Sequence, residues 1–413
     1  MPQLFRVVEH TVACSHSREY ATATVHGDAD RPRLAVKQYI PLDNPNPQPG
    51  DATIIGAHAN GFPKELYEPL WDELHARAAQ RGIRIRSIWI ADMWNQGQSG
   101  VLNEKILGND PSWWDHARDL MNLIYLKRDE MPHPLVGIGH SMGGAQLALL
   151  SLCHPRLLHS LVLLDPVMTT TSSGLGPAMA STTRRDIWDS RASAAQKFAQ
   201  SNFYRAWDPR VLDLWIQHGL RSLPTELYPS ADDGGPAASA DARVTLTTTK
   251  HQELFTFLRP TYRDRGGELP DWDPELGSVG DRLYPFYRPE PSQAFKRLPE
   301  LRPSVLYVFG ERSDLSSPAE RRAKRERTGT GAGGSGGAAK GRMKEVVLDC
   351  GHLVAMERVA ECAEAAAGFL EGELGRWARE QRALEEERAR VGRREVMMVD
   401  ERWKRELKAK PKI

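Results

Sequence analysis

The sequence predicts an α/β fold: a mostly parallel central sheet flanked by helices, with a helical cap inserted after the sixth strand. Three observations carry this expectation. Short apolar runs alternate with longer amphipathic segments from residue 34 to 165, the alternation stops between 167 and 300, and SVLYVFG (304–310) and KEVVLDCGH (344–352) then restore it. Strands that are apolar nearly throughout, separated by helices, belong in a parallel sheet covered on both faces.

Taken in order, LAVKQYI (34–40), TIIGAH (53–58), RIRSIWIAD (84–92), PLVGIG (134–139) and LVLLDP (161–166) read as strands. The helix patterns between them are PLWDELHARAAQRG (69–82), SWWDHARDLMNLIYLKRD (112–129) and SMGGAQLALLSLCH (141–154). The interruption contains RDIWDSRASAAQKFAQSNFYRAW and RVLDLWIQHGL, with a Gly/Ala/Asp-rich patch, DDGGPAASADA, at 232–242. Near the end, Val359, Ala363, Ala366, Leu370, Leu374 and Trp377 recur at spacings of three and four, one helix face for the sheet. Beyond them EQRALEEERARVGRRE reads as a solvated helical extension with mixed charge pairs, a dimerisation helix in a homodimer being the alternative. The expected division is therefore core at 1–166, cap at 167–300, core again at 301–377, and a charged extension at 378–413.

With 55 Lys+Arg against 54 Asp+Glu in 413 residues, the net charge of +1 gives no reason to expect nucleic acid or an anionic membrane as partner. A small molecule is the expected partner. Cys14, Cys153, Cys350 and Cys362 have no metal-ligand spacing and are too few for a disulfide framework, so free thiols in a reducing compartment are expected. MPQLFRVVEH lacks the apolar core of a signal peptide, and no window approaches the roughly 18 apolar residues of a membrane span. The tail, Pro411-Lys412-Ile413, resembles the small–basic–aliphatic tripeptide read by the peroxisomal import receptor, with proline in the small-residue place. A frayed basic tail on a cytoplasmic protein is the other reading.

Gly139-His140-Ser141-Met142-Gly143 is a G-x-S-x-G between an apolar strand and an amphipathic helix. A nucleophile elbow puts serine on a strained strand-to-helix turn and needs small residues two positions away, which Gly139 and Gly143 supply. A serine hydroxyl is a weak nucleophile at neutral pH, so a histidine must take its proton. His352, on a Gly-His turn after the last predicted strand, completes the chain order Ser…Asp…His; His140 and His58 read instead as hydrogen-bonded histidines that shape the site. The acid is either Asp165, closing LVLLDP, or Asp314, in VFGERSDLSSP. An oxyanion needs fixed N–H donors, here the Met142 amide and one from His58-Ala59-Asn60-Gly61-Phe62-Pro63, with Asn60 chosen and Ala59 its competitor. No metal or other cofactor is called for by this chemistry.

Two stretches mimic other sites. Gly329 to Gly334 matches G-x-G-x-x-G, but it precedes a strand where a dinucleotide fingerprint must follow one, so it reads as a flexible surface loop. The basic run Arg321, Arg322, Lys324, Arg325 and Arg327 reads as a solvated face, with contact to the phosphates of a charged substrate as the alternative.

The segments HANGFPKELYEPLWDEL, SWWDHARDL, MPHPLVGIGHSMGG, LLDPVM, LYPFYRPEPSQAFKRL and GTGAGGSGG resemble the α/β-hydrolase superfamily. Within it the likeness is to fungal peroxisomal acyl-CoA hydrolases of the mycophenolic acid and toxin-biosynthesis type, with a yeast peroxisomal lipase beside them. The likeness runs from about residue 5 to 370. It implies a serine hydrolase acting on an acyl-CoA thioester of a secondary metabolite, resident in the peroxisome. It further implies a triad of Ser141, Asp165 and His352, with Asn60 and Met142 at the oxyanion. The superfamily at large keeps its acid after the seventh strand, which favours Asp314; the closer likeness reverses this in favour of Asp165. The aromatic-rich insertion (Trp188, Phe198, Phe203, Tyr204, Trp207, Trp215) would line an acyl pocket, although most such rings pack a cap's own core. A carboxylesterase or lipase, and a non-catalytic ligand-binding member of the fold, are the alternatives.

Overall fold

The computed structural model describes residues 3–170, 174–229, 242–260 and 286–408. The Pro-Lys-Ile tail and all of the DDGGPAASADA patch except Ala242 lie outside the described residues. Eight strands form one sheet: β1 Phe5–Ala13, β2 Arg33–Pro41, β3 Ala52–Ala57, β4 Ile85–Ala91, β5 Leu135–His140, β6 Ser160–Leu164, β7 Ser304–Gly310 and β8 Met343–Leu348. Their spatial order is β1-β2-β4-β3-β5-β6-β7-β8. The β1–β2 and β2–β4 pairings are antiparallel and the remainder parallel.

The period of two in each strand divides the core between two faces. Ile54, Val136, Ile138, Val162 and Leu164 point to one side, where they meet Leu70, Trp71 and Leu74 of helix α1 (Glu68–Gln80) and the Val359, Ala363, Ala366 and Leu370 face of the C-terminal helix. Ile55, Leu135, Leu161 and Leu163 point to the other, against α2 (Trp113–Leu126) and α3 (Met142–Cys153). Each such Val, Leu or Ile side chain contributes about 1.5–3 kcal/mol through burial, and β3, β5, β6 and β7 are accordingly buried on both faces. At the start of α2, Ser112 and Asp115 form a capping box worth about 1 kcal/mol.

Three features depart from the sequence reading. Strand β1 lies ahead of residue 34, where the strand pattern was expected to begin; as an edge strand it buries only Phe5 and Val12, so its apolar period is weak. The insertion is not purely helical, because Ile187–Trp188, Val244–Leu246 and Leu220–Ser222 form a small antiparallel sheet. The return to the core comes near 290 and not at 301: Ala294 and Phe295 of the helix Glu290–Lys296 pack in the core beside α3. Glu290, fully buried, accepts from the Ser112 hydroxyl at 2.8 Å and the Trp113 amide at 2.9 Å and pairs with buried Arg288. The two ends of the insertion meet where the Thr169 amide donates to the Pro291 carbonyl at 3.3 Å.

The glycine-rich loop is folded and not open. Gly331 and Ser335 donate their amides to the carbonyls of Pro299 and Leu301, and Gly336 donates to Gly329. These bonds tie the loop to the chain at Pro299 and Leu301. The C-terminal helix, α5 (Val359–Arg390), runs without a break beyond the sheet, and from Arg379 onward nearly all of it is exposed. No described helix is long and apolar enough to cross a membrane. Cys14, Cys153, Cys350 and Cys362 are free thiols.

Candidate active site

Strand β5 hands directly to helix α3 at Ser141, whose φ of 57° and ψ of −118° lie in a region L residues avoid. The turn holds because its neighbours lack side chains. A Cβ on Gly143 would stand 2.3 Å from the Ala57 carbonyl oxygen, and one on Gly139 would stand 2.6 Å from that of Gly143. The Ser141 amide donates to Leu164 at 2.9 Å and its carbonyl accepts from Val167 at 3.1 Å, so β6 and the strand-to-cap connection clamp the turn.

The Ser141 hydroxyl lies 2.7 Å from His352 Nε2, and His352 Nδ1 lies 2.6 Å from Asp165 Oδ2. A carboxylate only accepts, so Nδ1 carries the proton and Nε2 faces the serine as an acceptor. Asp165, fully buried at the end of β6 with a left-handed φ of 42°, takes three further donors. These are the Ser313 hydroxyl at 2.5 Å, the Ser316 hydroxyl, and the Gly310 amide at 3.3 Å. Burial alone would raise this carboxyl, yet the bonds from His352, Ser313 and Ser316 outweigh it and hold the group below the ordinary carboxylate range. Asp314, between those two serines in the chain, is exposed on the surface. The loop after β7 thus brings hydroxyls to the site and leaves its own carboxylate outside.

Around the expected oxyanion loop the peptide planes are fixed one by one. The Ala59 amide donates to the Tyr67 hydroxyl and the Gly61 amide to Gln96 Oε1, each at 2.8 Å. The Ala59 carbonyl accepts from His58 Nδ1 at 2.8 Å, while His58 Nε2 accepts from the Met93 amide at 2.7 Å. Because C=O and N–H of a trans peptide point in opposite directions, His58 aims the Asn60 N–H away from itself. Among the described residues, neither the Asn60 nor the Met142 amide has an acceptor, whereas the Ala59 amide is spent. The Asn60 side chain is spent too, donating to the Glu253 carbonyl at 3.0 Å and accepting from Gln96 at 2.6 Å. Glu253 belongs to helix α4 (Lys250–Phe257), in the segment between β6 and β7, which thereby holds this loop.

Beside the loop lies a cavity of about 660 Å³ whose walls include Phe62, Trp188, Phe198, Tyr204, Trp215 and Phe257, together with Asn60, Gly61 and Leu353. Phe62 packs edge-on against Trp207 and Trp215 at 5.5 and 5.8 Å. Trp207 stands behind the cavity wall, and Trp188, Phe198 and Trp215 both line the cavity and pack the cap. Among the described residues no three His, Cys, Asp or Glu side chains converge as a metal site requires. Sequence reasoning missed Ser313, Ser316, Tyr67, Gln96 and Glu253. The hydroxyls flanking Asp314 in SDLSSP were the one local signal.

The model of the alpha/beta hydrolase family matches residues 54–365, an interval that contains the elbow, both aspartates and His352. The chain belongs to the α/β-hydrolase family. This α/β-hydrolase is 41% identical to the type I acyl-CoA thioesterase mpaH' of Penicillium brevicompactum, over 98% of this chain and 96% of that one. It is 32% identical to the abhydrolase domain-containing protein ACTT2-1 of Alternaria alternata, over 58% of this chain and 84% of the other. Among solved structures it resembles the peroxisomal alpha-beta-hydrolase Lpx1 of Saccharomyces cerevisiae, with a TM-score of 0.65 at 17% identity, covering 94% of this chain and 99% of that one.

Proposed function

We propose that this α/β-hydrolase cleaves an acyl-CoA thioester, of a secondary-metabolite or toxin intermediate, to a free acid and CoA through an acyl-enzyme on Ser141. The observation that carries the chemistry is the line of hydrogen bonds from Ser141 through His352 to Asp165. The thioester assignment rests on the relative that is 41% identical over nearly the whole chain.

In this reading His352 Nε2 takes the Ser141 proton as Oγ attacks the thioester carbonyl carbon. The amides of Asn60 and Met142 receive the oxyanion, where fixed donors in a site shielded from water are worth several kcal/mol. Collapse breaks the carbon–sulfur bond, and the imidazolium returns the proton to the departing thiolate. Water activated by the same Nε2 then releases the acid. Asp165 stays ionised throughout, orienting His352 and stabilising its cationic form. The aromatic cavity supplies an apolar site for the acyl group. The same reading assigns the enzyme to the peroxisome, as the import receptor's client, supported by the peroxisomal relative of like fold.

The test uses the CoA thioester and the methyl ester of one acid. Higher kcat/KM for the thioester is expected, and a clear preference for the methyl ester would overturn the thioester reading in favour of a carboxylesterase.

A further inference from the structure

Behind the oxyanion loop, a buried hydrogen-bonded chain joins it to the base. The Tyr67 hydroxyl accepts from the Ala59 amide at 2.8 Å and lies 3.0 Å from His140 Nδ1, and His140 Nε2 lies 3.2 Å from the His352 carbonyl oxygen. The protons on this chain have one arrangement. A carbonyl only accepts, so His140 Nε2 must carry hydrogen; Nδ1 of the neutral ring is then an acceptor, and Tyr67 donates to it. The lone pair left on the Tyr67 oxygen takes the Ala59 N–H. Burial, with His352 alongside, pushes the His140 imidazole down to about 3, so the ring stays neutral through the working pH range. His140 and Tyr67 are almost wholly buried, and the His140 and His352 rings lie 5.6 Å apart. Neither side chain is among those that line the aromatic cavity.

We propose that Tyr67 and His140 are positioning residues: together they form a rigid bridge that keeps the oxyanion loop and the backbone of His352 in a fixed relation to Ser141. The proposal rests on the catalytic roles given above to Ser141, His352 and Asn60. Its physical content is that attack requires base and oxyanion donors to be placed together, and a misplacement of about 1 Å costs roughly a hundredfold in rate. The bridge spans three separate chain segments: the turn after β3, the residue before the nucleophile, and the loop after β8. No one of them could hold the others by local structure.

The experiment compares the full chain with Tyr67→Phe, His140→Leu, His140→Gln and the double variant Tyr67→Phe/His140→Leu. Readouts are kcat and KM on the CoA thioester and the methyl ester, Ser141 labelling by a fluorophosphonate, and thermal melting. Tyr67→Phe and His140→Leu should lower kcat by about ten- to a hundredfold with KM changed less than about threefold. His140→Gln, which offers an amide N–H to the His352 carbonyl and an oxygen to Tyr67, should restore most of the loss. The double variant should be little worse than His140→Leu alone, since both cut one chain. Wild-type kcat in folded Tyr67→Phe, or a His140→Gln variant as slow as His140→Leu, would overturn the bridge. Wild-type protein that hydrolyses neither ester and escapes labelling would instead sink the hydrolase reading of Ser141, and the bridge with it.

Discussion

Asp165→Asn separates the two candidate acids, and its consequence follows from the four donors that converge on the carboxylate. Asparagine keeps one acceptor oxygen and turns the other into an NH2 group. The Gly310 N–H cannot turn away, so the amide oxygen belongs on that side, facing Gly310 and Ser316. The NH2 group then faces Ser313 and His352 Nδ1. The Ser313 hydroxyl can rotate to accept, but the imidazole can accept only by moving its proton to Nε2, where it meets the Ser141 hydroxyl and abolishes the base. Forcing the productive tautomer leaves N–H against N–H, a cost of about 1–3 kcal/mol, and the imidazolium also loses its buried counter-charge. Adding about 1.5–3 kcal/mol for the lost charge-assisted bond gives about 2.5–6 kcal/mol, or about two to four orders of magnitude in kcat. KM should change little, because Asp165 does not line the cavity, and the melting temperature should fall modestly, since the side-chain shape is preserved but the donors lose a charged acceptor. Ser313→Ala and Ser316→Ala each remove one of four donors and should cost about tenfold or less. Steady-state kinetics on purified variants decide the matter. Turnover within tenfold of wild type in Asp165→Asn, with collapse in Asp314→Asn, would refute the reasoning.

Two further outcomes are expected. Burial holds His140 and His116 neutral, each with a pKa pushed down to about 3, against about 6.5 in the unfolded chain. The folded values are the lower ones, so this stabilisation is complete above pH 6.5 and is lost as the pH falls towards 3, at about 1.4 kcal/mol per group per pH unit. Urea midpoints should hold level from pH 7.5 to about 6.5 and fall below it down to pH 5, less steeply in His140→Gln; a profile flat throughout would contradict the buried neutral rings. In cells, a fluorescent protein fused ahead of the intact chain should collect in peroxisomes and lose that location when residues 411–413 are removed; unchanged targeting would assign import to another signal.

Much of the architecture was legible because it rests on local periodicity. The runs around Ile54, Val136 and Val162 are apolar on both faces, and the glycines flanking Ser141 announce a turn that no Cβ could enter. The choice between Asp165 and Asp314 was not legible from the letters, since both close apolar runs. Side-chain direction separates them: one carboxylate turns into four donors and the other into solvent. Likewise Ala59 and Asn60 look equivalent as oxyanion donors until the Tyr67 hydroxyl is seen to occupy the Ala59 amide. The end of the insertion escaped notice because EPSQAFK has the composition of a cap helix, and only its packing beside α3 assigns it to the core. Strands of two or three residues, such as Ile187–Trp188, are too short to show a period. The run of glycines reads as a flexible surface loop, but composition cannot reveal that Pro299 and Leu301 supply carbonyls that tie it down.

The hydrogen bond between Thr169 and Pro291 has a bearing on how this scaffold could be re-engineered. A stretch of more than a hundred residues leaves the sheet and rejoins it at two points that already touch, so both covalent connections of the insertion pass through one doorway. A replacement segment would need two ends a few ångströms apart, with no strand of the host sheet cut, and partners for the core groups that now bind Thr248, Gln252 and Thr256. The left-hand junction must fall after Thr169, since Asp165 and the Val167 amide that clamps Ser141 sit just upstream and travel with the chassis. Among the contacts a transplant would have to recreate is that of Glu253 with Asn60, the latch through which a foreign lid would steady the loop after β3.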